Sequence, residues 1–163
     1  MALRQFETGD IGVLARPTGT GRFQTRLSLR GGGIMADEPE EVGGLGTGPT
    51  PYELLSAALA ACTVMTMRLY AERKSWPLPP FEVEVAHSLV PGDPPRDRLS
   101  RRIAFDGEID GERRARLLEI ADRCPVHRTL ARGFEVVTSA APAPMPADPP
   151  DRHERDMEEA CAD

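Results

Sequence analysis

The alternation of apolar and polar positions divides the chain into short strands and two main helices. Phe23 to Leu29 alternate, with Phe23, Thr25, Leu27 and Leu29 on one side and Gln24, Arg26 and Ser28 on the other, as in a half-buried strand. Gly31, Gly32 and Gly33 predict a turn, and Ile34 to Ala36 a returning strand. Asp37 to Thr50 is a polar Gly/Pro-rich connection of about 14 residues, and structureless loops of that length are often functional. Thr50-Pro51-Tyr52-Glu53 then combines a Thr cap, a Pro at the first helical position and a Glu at the third, which predicts a helix start. Leu54, Leu55, Ala58, Leu59, Cys62, Met65 and Leu69 follow at spacings of three and four. Nearly every face is apolar until Arg68, so the first half reads as buried. Glu72, Arg73 and Lys74 mark an exposed end, and Pro77 stops the helix.

Two further strands are predicted. Phe81 to Val85 places Phe81, Val83 and Val85 inward, and Arg101 to Ile109 places Ile103, Phe105 and Ile109 on one side. Turn-rich residues Pro91 to Arg98 join them. Asp110 predicts the cap of a second helix through Arg123 with an apolar face of Leu117, Leu118, Ala121 and Cys124. Pro125 starts a short helical stretch, Val126 to Arg132, closed by Gly133, and Phe134 to Thr138 reads as a last strand. Strands and helices in separate runs argue an α+β fold with an antiparallel sheet. Residues 1–139 read as a single domain. Residues 140–163 are Pro-rich and then acidic, and read as a flexible tail.

Composition narrows the function. The length of 163 residues suits one domain whose core stands without disulfide staples. A net charge of −6 leaves no basic footprint for nucleic acid. The 3 cysteines are too few and too scattered for a secreted disulfide framework. Met1 to Gly9 has no apolar stretch of the signal-peptide kind. The longest mainly apolar run, Leu54 to Met67, is about 14 residues against the roughly 20 needed to span a bilayer. The expectation is a cytoplasmic protein with reduced thiols, no membrane or nucleic-acid partner, no cofactor and no metal.

The candidate chemistry lies in two cysteines. Cys62 sits mid-helix and Cys124 at the break before Pro125, and by position alone each reads first as a small apolar core residue. Together, an attacking and a resolving thiol are the minimum needed to reduce a peroxide. A free thiol ionises near pH 8.5, so something must favour the thiolate. The helix start is about 12 residues from Cys62, too distant for its dipole, so a cation from another segment is expected. Arg22, Arg26 and Arg30, in or beside the first hairpin, are the candidates, although each also reads as a solvated surface residue. Glu53 could orient such an arginine, although its place in the capping pattern already explains it. His127, in Cys124-Pro-Val-His127, admits a zinc ligand or a Cys–His hydrolase dyad. No second ligand pair and no oxyanion-hole motif accompany it, and a packed, hydrogen-bonded histidine is the plainer reading. Cys161 lies in the acidic tail.

Gly48-Pro-Thr-Pro-Tyr-Glu-Leu-Leu-Ser-Ala-Ala-Leu-Ala-Ala-Cys62-Thr resembles the central helix of the OsmC/Ohr family, the osmotically inducible and organic hydroperoxide resistance proteins. Met65 to Lys74 and Cys124-Pro-Val-His-Arg-Thr-Leu130 extend the resemblance, which covers about residues 20–138. It implies a strongly curved antiparallel sheet wrapped around a buried central helix, and an intertwined homodimer with active sites at the subunit interface. By position, Cys62 matches the cysteine that attacks an organic hydroperoxide and becomes a sulfenic acid. Cys124 matches the one that condenses with it to a disulfide, which a dithiol reductant such as a lipoylated protein reopens. The resemblance also implies an activating arginine, here Arg22 or Arg26. In the peroxidase branch its partner is a glutamate ten residues before the attacking cysteine. Here that position holds Tyr52, and Glu53 is rotated from it by about 100°. The reading is an OsmC-like thiol-dependent peroxidase, whose alanine-lined helix suggests an apolar pocket and a preference for organic hydroperoxides. The alternatives are a non-peroxidase small-molecule-binding or accessory module on the same fold, and the Cys–His hydrolase.

Overall fold

The computed structural model describes residues 12–30, 32–94, 96–138 and 140. Its elements are β1 (Leu14–Pro17), β2 (Thr25–Leu29), β3 (Gly32–Ala36), a 3-10 turn at Glu40–Val42, α1 (Pro51–Arg73), β4 (Phe81–Val90), β5 (Arg96–Phe105), α2 (Gly111–Asp122) and α3 (Pro125–Arg132). Two antiparallel sheets form, ordered β1-β2-β3 and β4-β5, so the class is α+β. One unit takes the chain up to Pro51 with residues from Glu135 on, and the other takes Tyr52 to Phe134.

In the first unit, β1 was not visible in the pattern, because its four mostly exposed residues end in proline and show no alternation. β2 begins at Thr25 rather than Phe23, and Leu29 is exposed rather than inward. Gly32 and Gly33 are not turn residues: they pair with Leu29 and Ser28 in β3. The 37–50 connection is held together by the buried Asp37 carboxylate. It accepts from the N–H groups of Glu38 (2.9 Å), Leu45 (3.2 Å) and Thr47 (3.3 Å) and from the Thr47 hydroxyl (2.7 Å). Burial pushes this carboxyl upward, but the Thr47 hydroxyl and the backbone donors outweigh it and hold Asp37 below the usual carboxylate range. The loop folds so closely that a Cβ on Gly44 would meet the Glu38 carbonyl, and one on Gly48 the Met35 carbonyl.

In the second unit, α1 starts at Pro51, as the capping pattern predicts. Its buried side is Ser56, Leu59, Cys62, Thr63, Thr66, Met67, Tyr70 and Ala71, while Leu55 and Met65 are exposed. A helix apolar on most faces gives no moment from which to choose a side. Two threonines lie on the buried side because their hydroxyls are satisfied one turn back, Thr63 on the Leu59 carbonyl (2.7 Å) and Thr66 on that of Cys62 (2.8 Å). Met67, Tyr70 and Ala71 pack against Leu117, Ile120 and Ala121 of α2, with Phe81, Ile103 and Phe105 of the sheet around them. The helix, at 23 residues, is longer than the apolar run counted in the sequence, and by length and composition it could cross a bilayer. Here 44% of its most apolar window is buried inside the protein.

β4 and β5 are longer than predicted and run in register from Phe81↔Phe105 to Val90↔Arg96. β5 therefore begins inside the segment expected to turn, and it ends at Phe105, short of Ile109. Asp110 caps α2 by accepting from Glu112 N (2.9 Å) and Arg113 N (3.0 Å). Ile120 takes the buried place assigned to Leu118, which is exposed. Residues 134–138 form no strand, and Phe134, Val136 and Val137 are exposed. Met1 to Gly9, the tail from residue 141 and Cys161 lie outside the described residues.

Candidate functional site: a buried thiol pair

Two local signals bring the cysteines together. The buried side of α1 carries Cys62, and the Cys124–Pro125 break turns the chain from α2 into α3 with Cys124 as the cap of α3. Both are free thiols, 2% and 0% exposed, and their sulfurs are 2.7 Å apart. Leu59, Val85, Leu99, Val126 and Leu130 pack around them. That sulfur–sulfur contact is shorter than non-bonded sulfurs normally make. The two thiols are close enough for a two-electron oxidant that takes up their electrons and protons to join them as a disulfide.

The proton could sit on either sulfur, and the surroundings decide between them. The contact with Cys62 is the largest influence favouring a Cys124 thiolate, and the nearby backbone N–H groups of His127 and Val126 at the α3 start and the Thr63 hydroxyl add smaller effects of the same sign. These outweigh burial and lower Cys124 to about 6. Cys62 is driven upward, first by its contact with Cys124 and then by burial, so the pair's first ionisation is favoured on the Cys124 side. Thr66 Oγ1 lies 4.0 Å from the Cys62 sulfur.

Arg101 was not singled out in the sequence, although a signal was there. It occupies the inward parity of β5 between Leu99 and Ile103, where a lone charge needs a partner. Its Nη1 donates to Thr63 Oγ1 (2.9 Å) and to the Ala121 carbonyl (2.9 Å), and its Nη2 pairs with Asp122 (2.7 Å). Arg22, Arg26 and Arg30 belong to the first unit. Arg22 lies over the Phe23 ring at 5.7 Å, and Arg26 is an exposed β2 residue paired with Arg16 and Met35.

A mainly apolar cleft of about 310 Å³ shares Leu59, Leu99 and Leu130 with the wall around the thiols. Tyr52 lines it and stacks on His87, with centroids 4.0 Å apart and planes 13° from parallel. His87 Nε2 is 2.7 Å from Asp97 Oδ1. Tyr52 therefore faces the cleft, while Glu53 is exposed in the first turn of α1. His127 borders the cleft, with its Nδ1 3.8 Å from Asp122. Among the described residues, no group of three or more His, Cys, Asp or Glu is placed to hold a metal ion. A second cavity of about 440 Å³, bordered by Phe105, Glu108 and Arg114, contains no thiol.

Comparison with known proteins bears on this site. The family model described as OsmC-like protein matches residues 44–139, which include both cysteines. No curated protein matches the chain. Among solved structures, a protein of Psychrobacter arcticus 273-4, described for osmotic stress induction and detoxification response, superposes with a TM-score of 0.64 at 22% identity. The match covers 76% of this chain and 90% of that one. An organic hydroperoxide resistance protein from Elizabethkingia anophelis gives 0.59 at 18% identity, covering 80% and 92%. An OsmC-like protein from Mycoplasma pneumoniae gives 0.56 at 21%, covering 78% and 89%. At these identities the likeness is one of fold.

Proposed function

The chain belongs to the OsmC-like protein family, and from that premise we propose that it is a thiol-dependent peroxidase that reduces organic hydroperoxides by cycling Cys62 and Cys124 between dithiol and disulfide. The observation that carries this reading is the pair of free, buried sulfurs 2.7 Å apart. The Cys62 proton passes along that contact to Cys124, leaving a Cys62 thiolate. It attacks the distal peroxide oxygen: an S–O bond forms, the O–O bond breaks, and the alkoxide takes the proton from Cys124. Cys124, again a thiolate, attacks the Cys62 sulfenic acid sulfur. The S–S bond forms and hydroxide leaves to be protonated as water. Two electrons have moved from the thiols to the peroxide, and a dithiol reductant, such as a lipoylated protein, returns them.

The cleft supports an organic substrate, because leucines shared with the thiol wall offer burial to an alkyl or aryl group. Arg22 or Arg26 as a cation at Cys62, a sheet wrapped around α1, an intertwined homodimer and a cytoplasmic location belong to the same proposal. The test of substrate class compares cumene hydroperoxide with hydrogen peroxide, each with a dithiol reductant. Faster turnover of the organic peroxide is expected, and equal or faster turnover of hydrogen peroxide contradicts the preference.

A further inference from the structure

We propose that the apolar cleft beside the thiols selects organic molecules whose outer end carries a hydrogen-bond-donating head group without negative charge, an alcohol or an amine rather than a carboxylate. The recognising groups are His87 and Asp97, with Tyr52 stacked on the imidazole. The inference deepens the reading of the cleft as the organic-peroxide site, and it rests on that reading only for calling the bound molecule a substrate.

The residues concerned all belong to the second unit. β4 turns Phe81, Val83, Val85 and His87 to its more buried side, so an imidazole ends a row that is otherwise apolar. Val85 packs at the thiols, and Leu99, which also packs there, is the β5 residue directly opposite His87. On α1 the cleft reaches from Leu59, three residues before Cys62, back to Tyr52, ten residues before it. Those spacings are about 4.5 and about 15 Å along a helix axis. The leucine end therefore adjoins the thiols, and the polar end lies roughly 10 Å further out.

A half-buried imidazole needs a partner, and Asp97 Oδ1 supplies one 2.7 Å from His87 Nε2. A carboxylate only accepts, so Nε2 carries the proton, and Nδ1 of the neutral ring is left as an acceptor. The stack on Tyr52, with centroids 4.0 Å apart, fixes the plane of that ring. A ligand O–H or N–H arriving at this end meets an acceptor nitrogen and a carboxylate. An anion meets no compensating charge. The His87–Asp97 pair is anionic with a neutral ring and neutral with a charged one, and among the described residues no lysine or arginine lines the cleft. His127, the other imidazole on the wall, has the Asp122 carboxylate 3.8 Å away. The plain structural role of His87 and Asp97 is a contact between β4 and β5. That role does not discriminate between head groups, so binding separates the two.

The test uses inert ligands on one skeleton and needs no turnover. Phenylbutanol, phenylbutylamine, phenylbutanoate and butylbenzene are titrated calorimetrically into the reduced full-length protein at neutral pH. The alcohol and the amine should bind about tenfold more tightly than the carboxylate. Asp97→Asn should bring the carboxylate to within about twofold of the alcohol. His87→Phe keeps an aromatic ring against Tyr52 but removes the acceptor. It should lower alcohol binding to the level of butylbenzene, and it carries the test if Asp97→Asn fails to fold. Carboxylate binding as tight as the alcohol's in the unaltered protein overturns the proposal, as does an unchanged preference in a folded Asp97→Asn or His87→Phe, or no binding by any of the four. Peroxide consumption by the same preparations reads the thiol chemistry separately. Turnover without a head-group preference sinks the selection and keeps the peroxidase; a preference without turnover does the reverse.

Discussion

If the thiol pair is redox-active, one equivalent of organic hydroperoxide should tie α1 to the start of α3 and stabilise the fold by a calculable amount. The cysteines are 62 positions apart, so the new bond closes a long loop in the unfolded chain. The chain-entropy relation gives about 4 kcal/mol for a loop of that length. Native strain subtracts little, because the sulfurs are already in contact and neither helix has to move far. With a urea dependence of about 2 kcal/mol per molar, the unfolding midpoint should rise by about 2 M on oxidation. The assay is urea unfolding of the Cys161→Ser protein, reduced and after one equivalent of cumene hydroperoxide, with Cys124→Ser treated alike as control. An unchanged or lowered midpoint, or an equal rise in the control, would refute the reasoning that these two sulfurs join.

Three further outcomes follow from the same geometry. Because Cys124 is lowered to about 6, the reduced pair keeps its thiolate above that pH and loses it as pH falls through it. The rate of oxidation by hydroperoxide should therefore be flat from pH 7 to 8.5 and fall about tenfold per unit below pH 6, and a rate still rising steeply above pH 7 would contradict the assignment. Leu55, a half-exposed cleft residue, can be enlarged without disturbing the core, and Leu55→Trp should lower kcat/KM about tenfold for cumene hydroperoxide while leaving hydrogen peroxide nearly unaffected. Asp110→Ala removes the acceptor of two N–H groups and should cost about 1 kcal/mol in urea unfolding with peroxide turnover unchanged.

What could be read in the sequence was what local chemistry decides. Pro51 and Asp110 mark helix starts whatever packs against them, and the Cys124–Pro125 break follows from a ring that cannot continue a helix but can begin one. The facing of α1 was not legible, because a helix apolar on most sides takes its orientation from its neighbours, and here those select Thr63 and Thr66 over Leu55 and Met65. β1 and the outer halves of β4 and β5 exist through pairing, which polar residues such as Arg96 and Asp97 join without any alternation of their own. Phe134 to Thr138 shows the reverse, an alternating segment that pairs with no strand among the described residues. Within the site the two thiols were legible from their flanking motifs. Arg101 stands on the inward side of β5 between Leu99 and Ile103, and the acceptors it meets there, on α1 and α2, are set by packing that no local spacing encodes. The Tyr52–His87 stack joins residues on different elements, and no spacing announces it.

The most direct test of the central claim is steady-state consumption of cumene hydroperoxide with a dithiol reductant by the full-length protein and its Cys62→Ser variant. The account predicts turnover by the protein and a fall to the buffer background in the variant. Undiminished consumption by Cys62→Ser, or none by the unaltered protein, would contradict it.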